Sequence, residues 1–356
     1  MQTIFARSFS KCSCQTITLK KWMLLTILFS SISYGHGLKQ VQSLSLPGPI
    51  GKDFEAVKVD YKNHSVYIAH FGANQIYVID SNTGKYIRTI KGTPGVDGLE
   101  YVNSVRKLYI ANSKDNSVGV LDLETMKIIK KISIENTPHG MTYASHFKKM
   151  YIADELAHTI IVVDVESDKK LTKIHFSGPI GTMLYDAGKK KVYVTLPEQN
   201  FFAVIDPDKD AVVAEFSIEN CKGNKGMAID SELHLAFLGC QINHVLAVFD
   251  VVQHKTIAEI PLPPGVGDIV YDPGLKRVYV ACDSGVISII QVDDSTHIQK
   301  LEDFKVVEKI HSLAVNVENH KVFLPESEDT GTPVTTLIVF DAVVEKRKKD
   351  PMEESF

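Results

Sequence analysis

The chain lacks most of the motifs that make a function legible at once. Across its 356 residues there is no G-x-S-x-G, no H-E-x-x-H and no C-x-x-C. Their absence removes the nucleophile elbow, the zinc-peptidase helix and the dithiol redox pair. The stretch Gly48-Pro49-Ile50-Gly51-Lys52 is not a phosphate loop, because it has neither the spacing nor the Ser/Thr and following helix. No low-complexity tract interrupts the sequence, and tryptophan occurs once, at Trp22. No segment after residue 37 has the apolar spacing of an amphipathic helix, which argues against helical bundles and α/β folds.

Acidic residues are missing from residues 1–37, which carry Arg7, Lys11, Lys20 and Lys21 ahead of the apolar run from Trp22 to Ile32. A charged n-region followed by a short apolar h-region is the pattern of a secretory signal peptide, and about eleven apolar residues fall short of a bilayer span. Small residues at Ser33 and Gly35, or at Gly35 and Gly37, place the mature start near His36 or Leu38. A signal peptide over 1–37 is therefore expected, with a periplasmic or secreted product and no stable membrane insertion after its removal. Loss of the four basic residues takes the formal charge from −4 to −8, which argues against a nucleic-acid partner. Residues 345–356 alternate blocks of charge and read as a solvated, mobile tail.

The rest is periodic. An aromatic residue recurs at Tyr67, Tyr109, Tyr151, Tyr193, Phe237, Tyr279 and Phe323, at spacings of 42 or 44. Thirteen residues after each of the first five stands an aspartate: Asp80, Asp122, Asp164, Asp206 and Asp250. The second unit reads as four short strands, Leu99 to Val102, Leu108 to Ala111, Val118 to Asp122 and Ile128 to Ile132, separated by polar turns. A four-stranded unit of this length cannot bury both faces alone, so the units must stack about an axis. That predicts an all-β, seven-bladed β-propeller of antiparallel blades over residues 38–344. The seventh unit ends at Leu337 to Asp341 without an outer strand. Val41 to Leu46 is expected to supply it and close the ring.

The triplet Tyr193-Val194-Thr195, the tetrad Tyr109-Ile110-Ala111-Asn112 and hairpins such as Asp80-Ser81-Asn82-Thr83-Gly84-Lys85 resemble those of the bacterial YVTN-repeat (YncE-like) β-propellers. The resemblance spans roughly residues 39 to 344. It implies a propeller fold and an envelope location, and no agreed activity.

Superposing the repeats aligns two rings of residues expected on the channel face. Twelve residues before each aromatic stand Glu55, Asp97, His139, Gly181, Lys225, Gly267 and His311; three after it stand His70, Asn112, Asp154, Leu196, Cys240, Cys282 and Glu326. The sector of His311, Glu55, Asp97, His139, His70, Asp154 and Glu326 is rich in imidazole and carboxylate, and is the candidate ligand site. Glu55, Asp97, Asp154 and His139 are the candidate ligands of a divalent metal.

Three cysteines follow the signal segment. Cys221 and Cys240 belong to one blade and should reach the same face, so a disulfide between them is reasonable, and similar placement is familiar in the resembled family. Cys282 on the next blade is the competing partner.

Two functions are compatible with these readings. One is a non-catalytic envelope binding or scaffold protein that offers the channel face to a partner protein, peptide or small ligand. The other is a metal-dependent, lactonase-like hydrolase in which Glu55, Asp97 and Asp154 hold a cation and His139 or His311 acts as base. The absence of a catalytic motif favours the first.

Overall fold

The structure is a computed structural model that describes residues 37–49, 53–326 and 335–343. The expected signal peptide (apart from Gly37), Cys12 and Cys14, the expected tail and residues 327–334 of the seventh repeat lie outside the described residues.

The described chain forms seven four-stranded antiparallel sheets, the expected propeller. In six blades the strands run consecutively from inside to outside; blade 2 comprises Val96–Val102, Lys107–Asn112, Ser117–Asp122 and Lys127–Ser133. In the seventh blade, Leu38–Ser45 pairs antiparallel with Thr336–Ala342 as the outer strand, from Leu38 opposite Ala342 to Ser45 opposite Thr336. The expected closure is present and begins three residues earlier than Val41. It covers an edge that would otherwise present unpaired backbone groups.

Burial explains the composition of each strand. The second and third strands are covered on both faces by neighbouring blades, so their middles are continuous apolar runs, as from Val66 to Ala69 within Ser65–His70, whose six residues are all buried. Outer strands are largely exposed, as in Lys169–His175. The core is divided into seven apolar clusters, each shared by two adjacent blades; one joins Tyr109 and Val120 of blade 2 to Met141, Ile152 and Ile161 of blade 3.

Turn chemistry is repeated as well. The Asp122 carboxylate accepts the backbone N–H of Thr125 (2.6 Å) and of Glu124 (3.0 Å) together with the Thr125 hydroxyl. Asp80 and Asp164 do the same for their hairpins. Bonds from Thr125 hold the Asp122 carboxyl below the usual range, and those from Ser167 do so for Asp164. Hairpins close on a left-handed residue, often Asn, Asp or His, as at Asn74, Asn116, His158 and Asn200.

The aromatic residues that set the period also join blades. Tyr109 donates its hydroxyl to Asp168 in the next blade, and Lys107 Nζ lies 2.8 Å from the same carboxylate while donating to the Val165 carbonyl. One period on, Tyr151 and Lys149 engage Asp210 at 2.6 and 2.7 Å. Blade 5 is pinned by the Cys221–Cys240 disulfide, with a Cα separation of 5.1 Å. Cys282 is a buried free thiol, pushed up to about 12 by burial.

Two stability outcomes follow from these contacts. Asp168→Ala leaves the partly buried Lys107 and the Tyr109 hydroxyl with only the Val165 carbonyl as acceptor, and should cost about 2 kcal/mol in urea unfolding, whereas Tyr109→Phe should cost about 1 kcal/mol; equal, negligible effects would show that the latch carries no stability. Cys221→Ser with Cys240→Ser should cost about 2–4 kcal/mol. Wild-type protein treated with reductant should unfold at the same urea concentration as that double variant.

Candidate functional site

The inner strands of all seven blades enclose a central cavity of about 500 Å³. Its mouth is built on backbone irregularities. In blades 1, 2, 3 and 6 the inner strand slips register immediately after its first residue, between Phe54 and Val57, Val96 and Leu99, Pro138 and Met141, and Val266 and Ile269. A bulge of this kind re-aims side chains, and here it presents Glu55, Asp97, His139 and Asp268. Neighbouring inner strands approach closely at the same level. A Cβ on Gly98 would lie 2.1 Å from the His139 carbonyl, and one on Gly267 would lie 2.6 Å from that of His311. Glycine is needed there for space. Backbone bonds from Asp268 N to His311 O (3.0 Å) and from Thr182 N to Lys225 O (3.2 Å) tie blades together at this level.

All seven residues of the first aligned ring border the cavity. His139 Nε2 lies 3.4 Å from Asp97 Oδ1, and His311 Nε2 lies 3.9 Å from Glu55 Oε2. The other nitrogen of His311 is 4.0 Å from Asp283 Oδ1. Deeper in, Lys58 pairs with Glu100 at 3.0 Å. Carboxylates outnumber cations at the mouth, and they are held partly out of water. Burial, and then the neighbouring Asp97 charge, raise Glu55 to about 7, against the lowering influence of His311 and His139. Burial also raises Asp97, opposed by His139, and raises Asp268, opposed by His311 and Lys58.

The second aligned ring does not border the cavity. His70 is fully buried, stacked on Phe54 at 4.4 Å and tilted against Tyr77. Asp154 is fully buried and accepts the backbone N–H groups of Asn136 (3.1 Å) and Thr137 (3.2 Å), so it braces a loop. Glu326 is half-buried, with its carboxyl raised by burial. Of the seven candidate site residues, His311, Glu55, Asp97 and His139 come together, while His70, Asp154 and Glu326 do not. The metal set of Glu55, Asp97, Asp154 and His139 is not assembled, because Asp154 spends its oxygens on backbone donors. Among the described residues no three His, Cys, Asp or Glu side chains are grouped to hold a metal ion.

Sequence reasoning missed Asp268, Glu155, Lys58 and Glu100 at the cavity and Asp283 beside His311. Glu155 and Asp283 each stand one residue after the aligned second ring, at Asp154 and Cys282. Asp154 and Cys282 end their strands with buried side chains, and the first residue of the turn that follows is the one that reaches the cavity or His311. Asp268 follows ring position Gly267 on a bulge, where simple alternation fails.

No protein-family model and no curated protein matches the chain. Solved structures do resemble it. A chain from the crystal structure of a mitotic checkpoint complex superposes with a TM-score of 0.73 at 12% identity, covering 93% of this chain and all of that one. The WD40 repeats of RRP9 superpose with a TM-score of 0.72 at 10% identity, covering 85% of this chain and 99% of that one. At such identities the likeness establishes the propeller fold and nothing further.

The raised Glu55 carboxyl has a measurable sign. Its folded value of about 7 exceeds the ordinary 4.5, so the folded state holds the proton more tightly and stability falls as pH rises from about 4.5 through 7. Glu55→Gln removes that loss. The variant should melt a few degrees above the wild type at pH 8 and close to it at pH 5, read by calorimetry. A difference that does not change with pH would mean that Glu55 titrates as an ordinary exposed glutamate.

Proposed function

We propose that this protein is a non-catalytic binding protein of the YVTN-repeat type, exported to the bacterial envelope, whose channel mouth holds a cationic group of a partner protein, peptide or small ligand. The observation that carries this reading is the convergence of Glu55, Asp97, Glu155 and Asp268 on one cavity of about 500 Å³. Burial makes ionisation of Glu55, Asp97 and Asp268 costly. An ammonium or guanidinium entering the mouth would supply the counter-charge that desolvation withholds, so binding and ionisation reinforce each other.

Two further features support the reading. The Cys221–Cys240 disulfide suits an oxidising compartment, and no helix among the described residues is long and apolar enough to cross a membrane. One structurally similar chain belongs to a mitotic checkpoint complex, so the same architecture serves there within an assembly. The metal-dependent hydrolase reading loses its support once Asp154 is assigned to the backbone.

Calorimetric titration with trilysine tests the proposal. Binding should strengthen as pH rises from 5 to 8, because Glu55 loses its proton over that interval. Glu55→Gln combined with Asp97→Asn should weaken it by roughly tenfold or more, since a charge-assisted hydrogen bond contributes about 1.5–3 kcal/mol. Affinity unchanged in the double variant, or equal affinity for triglutamate, would sink the assignment.

A further inference from the structure

The rim of the propeller is electrically lopsided. The outer strands of blades 1, 2 and 3 are Tyr86–Lys91, Lys127–Ser133 and Lys169–His175. Together they carry eight Lys or Arg and no Asp or Glu. The outer strands of blades 4, 5 and 6 are Ala211–Ser217, Lys255–Pro261 and Ile298–Lys305, with three Lys against four Asp or Glu. The whole chain is acidic, with a formal charge of −4, so the basic sector is a local reversal.

Three of the eight have partners. Lys130 donates to the carbonyls of Ser167 and Asp168, Lys131 pairs with Asp115, and Lys173 pairs with Glu135. Arg88, Lys91, Lys127, Lys169 and Lys170 are exposed and form no ion pair among the described residues.

Apolar side chains stand between these charges. Each outer strand carries a bulge beside its third-strand partner, and the extra residue projects outward: Ile87 at 44% exposure, Ile129 at 54% and Leu171 at 50%. Between blades 1 and 2 the surface sinks into a groove of about 400 Å³. Arg88, Lys91 and Lys127 border it, and Ile90, Leu121, Met126 and Ile128 form its apolar part.

Protection of exposed sheet edges by lysine and by bulges explains scattered charges on any blade. It does not explain why eight of them, with no acidic residue among them, gather on the outer strands of three consecutive blades, nor a groove with a basic rim and an apolar interior. Blade 4 has the equivalent knob, Val213, with Glu215 as the charged residue of its strand.

We propose that the edge of blades 1 to 3 is a peripheral docking surface for an anionic phospholipid membrane, with a lipid phosphate held by Arg88, Lys91 and Lys127 at the groove. Charge complementarity selects the anionic headgroup layer. The solvent-facing aliphatic knobs favour a membrane over a soluble polyanion, because the headgroup–acyl boundary removes them from water and a hydrated polyanion does not.

The test is co-sedimentation of the full chain with vesicles of phosphatidylcholine alone and of phosphatidylcholine with phosphatidylglycerol. Every variant shares the same N-terminal residues, so differences between variants report on the rim. Wild type should favour the anionic vesicles, and binding should weaken with added salt. Arg88→Glu with Lys91→Glu and Lys127→Glu should reduce binding more than tenfold, since each basic residue near such a surface is worth roughly a factor of five. A control with the same charge change elsewhere, Lys222→Glu with Lys255→Glu and Lys305→Glu, should bind nearly as the wild type does. Ile87→Ser with Ile129→Ser should also weaken binding, with thermal melts confirming that each variant is folded.

Equal losses in the two charge triples would reduce the effect to net charge and overturn the proposal. No effect of the isoleucine changes, with full competition by heparin or inorganic phosphate, would overturn it in favour of a soluble anion.

Discussion

Everything in this fold depends on the inability of a single blade to cover itself. The second and third strands of each sheet are apolar on both faces, so each blade needs a neighbour on either side. Seven shared clusters meet that need, and closing the ring gives the first and last blades each other as neighbours. The pairing of Leu38–Ser45 with Thr336–Ala342 is that closure, and it makes the first strand of the propeller part of the last blade. Hydrogen bonds and ion pairs such as Tyr109 and Lys107 on Asp168 then fix how neighbouring blades meet.

Closure creates a channel, and the channel sets the chemistry of the inner strands. Seven strands converging on one axis leave little room, which accounts for Gly98 and Gly267 where neighbouring carbonyls press inward. Bulges at the same level turn charged side chains toward the axis. Groups that would be solvated on a flat surface are crowded and partly desolvated there, so Glu55, Asp97 and Asp268 are pushed toward their protonated forms. The rim has the opposite constraint. Its outer strands face water and unpaired edges, where charge is inexpensive, and lysine and arginine accumulate on one side of the ring.

Much of this was legible before any coordinates. The spacing of Tyr67, Tyr109, Tyr151 and their successors, the aspartate thirteen residues on and the missing outer strand of the last repeat specify seven blades and their closure, because a repeat can be counted. The first ring of channel residues was legible for the same reason, and Glu55, Asp97, His139 and His311 do meet at the mouth. The second ring does not border the cavity. His70 and Asp154 are core and loop-bracing groups, while Glu155 borders the channel and Asp283 lies beside His311.

The sequence by itself determined the architecture, since a period and an alternation of apolar residues are properties of a linear string. Which side chains share the channel, which carboxylates lose water and which basic residues gather on one stretch of rim were decided only in three dimensions. Facing direction depends on bulges and on single-residue register, and desolvation depends on atoms brought in from other blades.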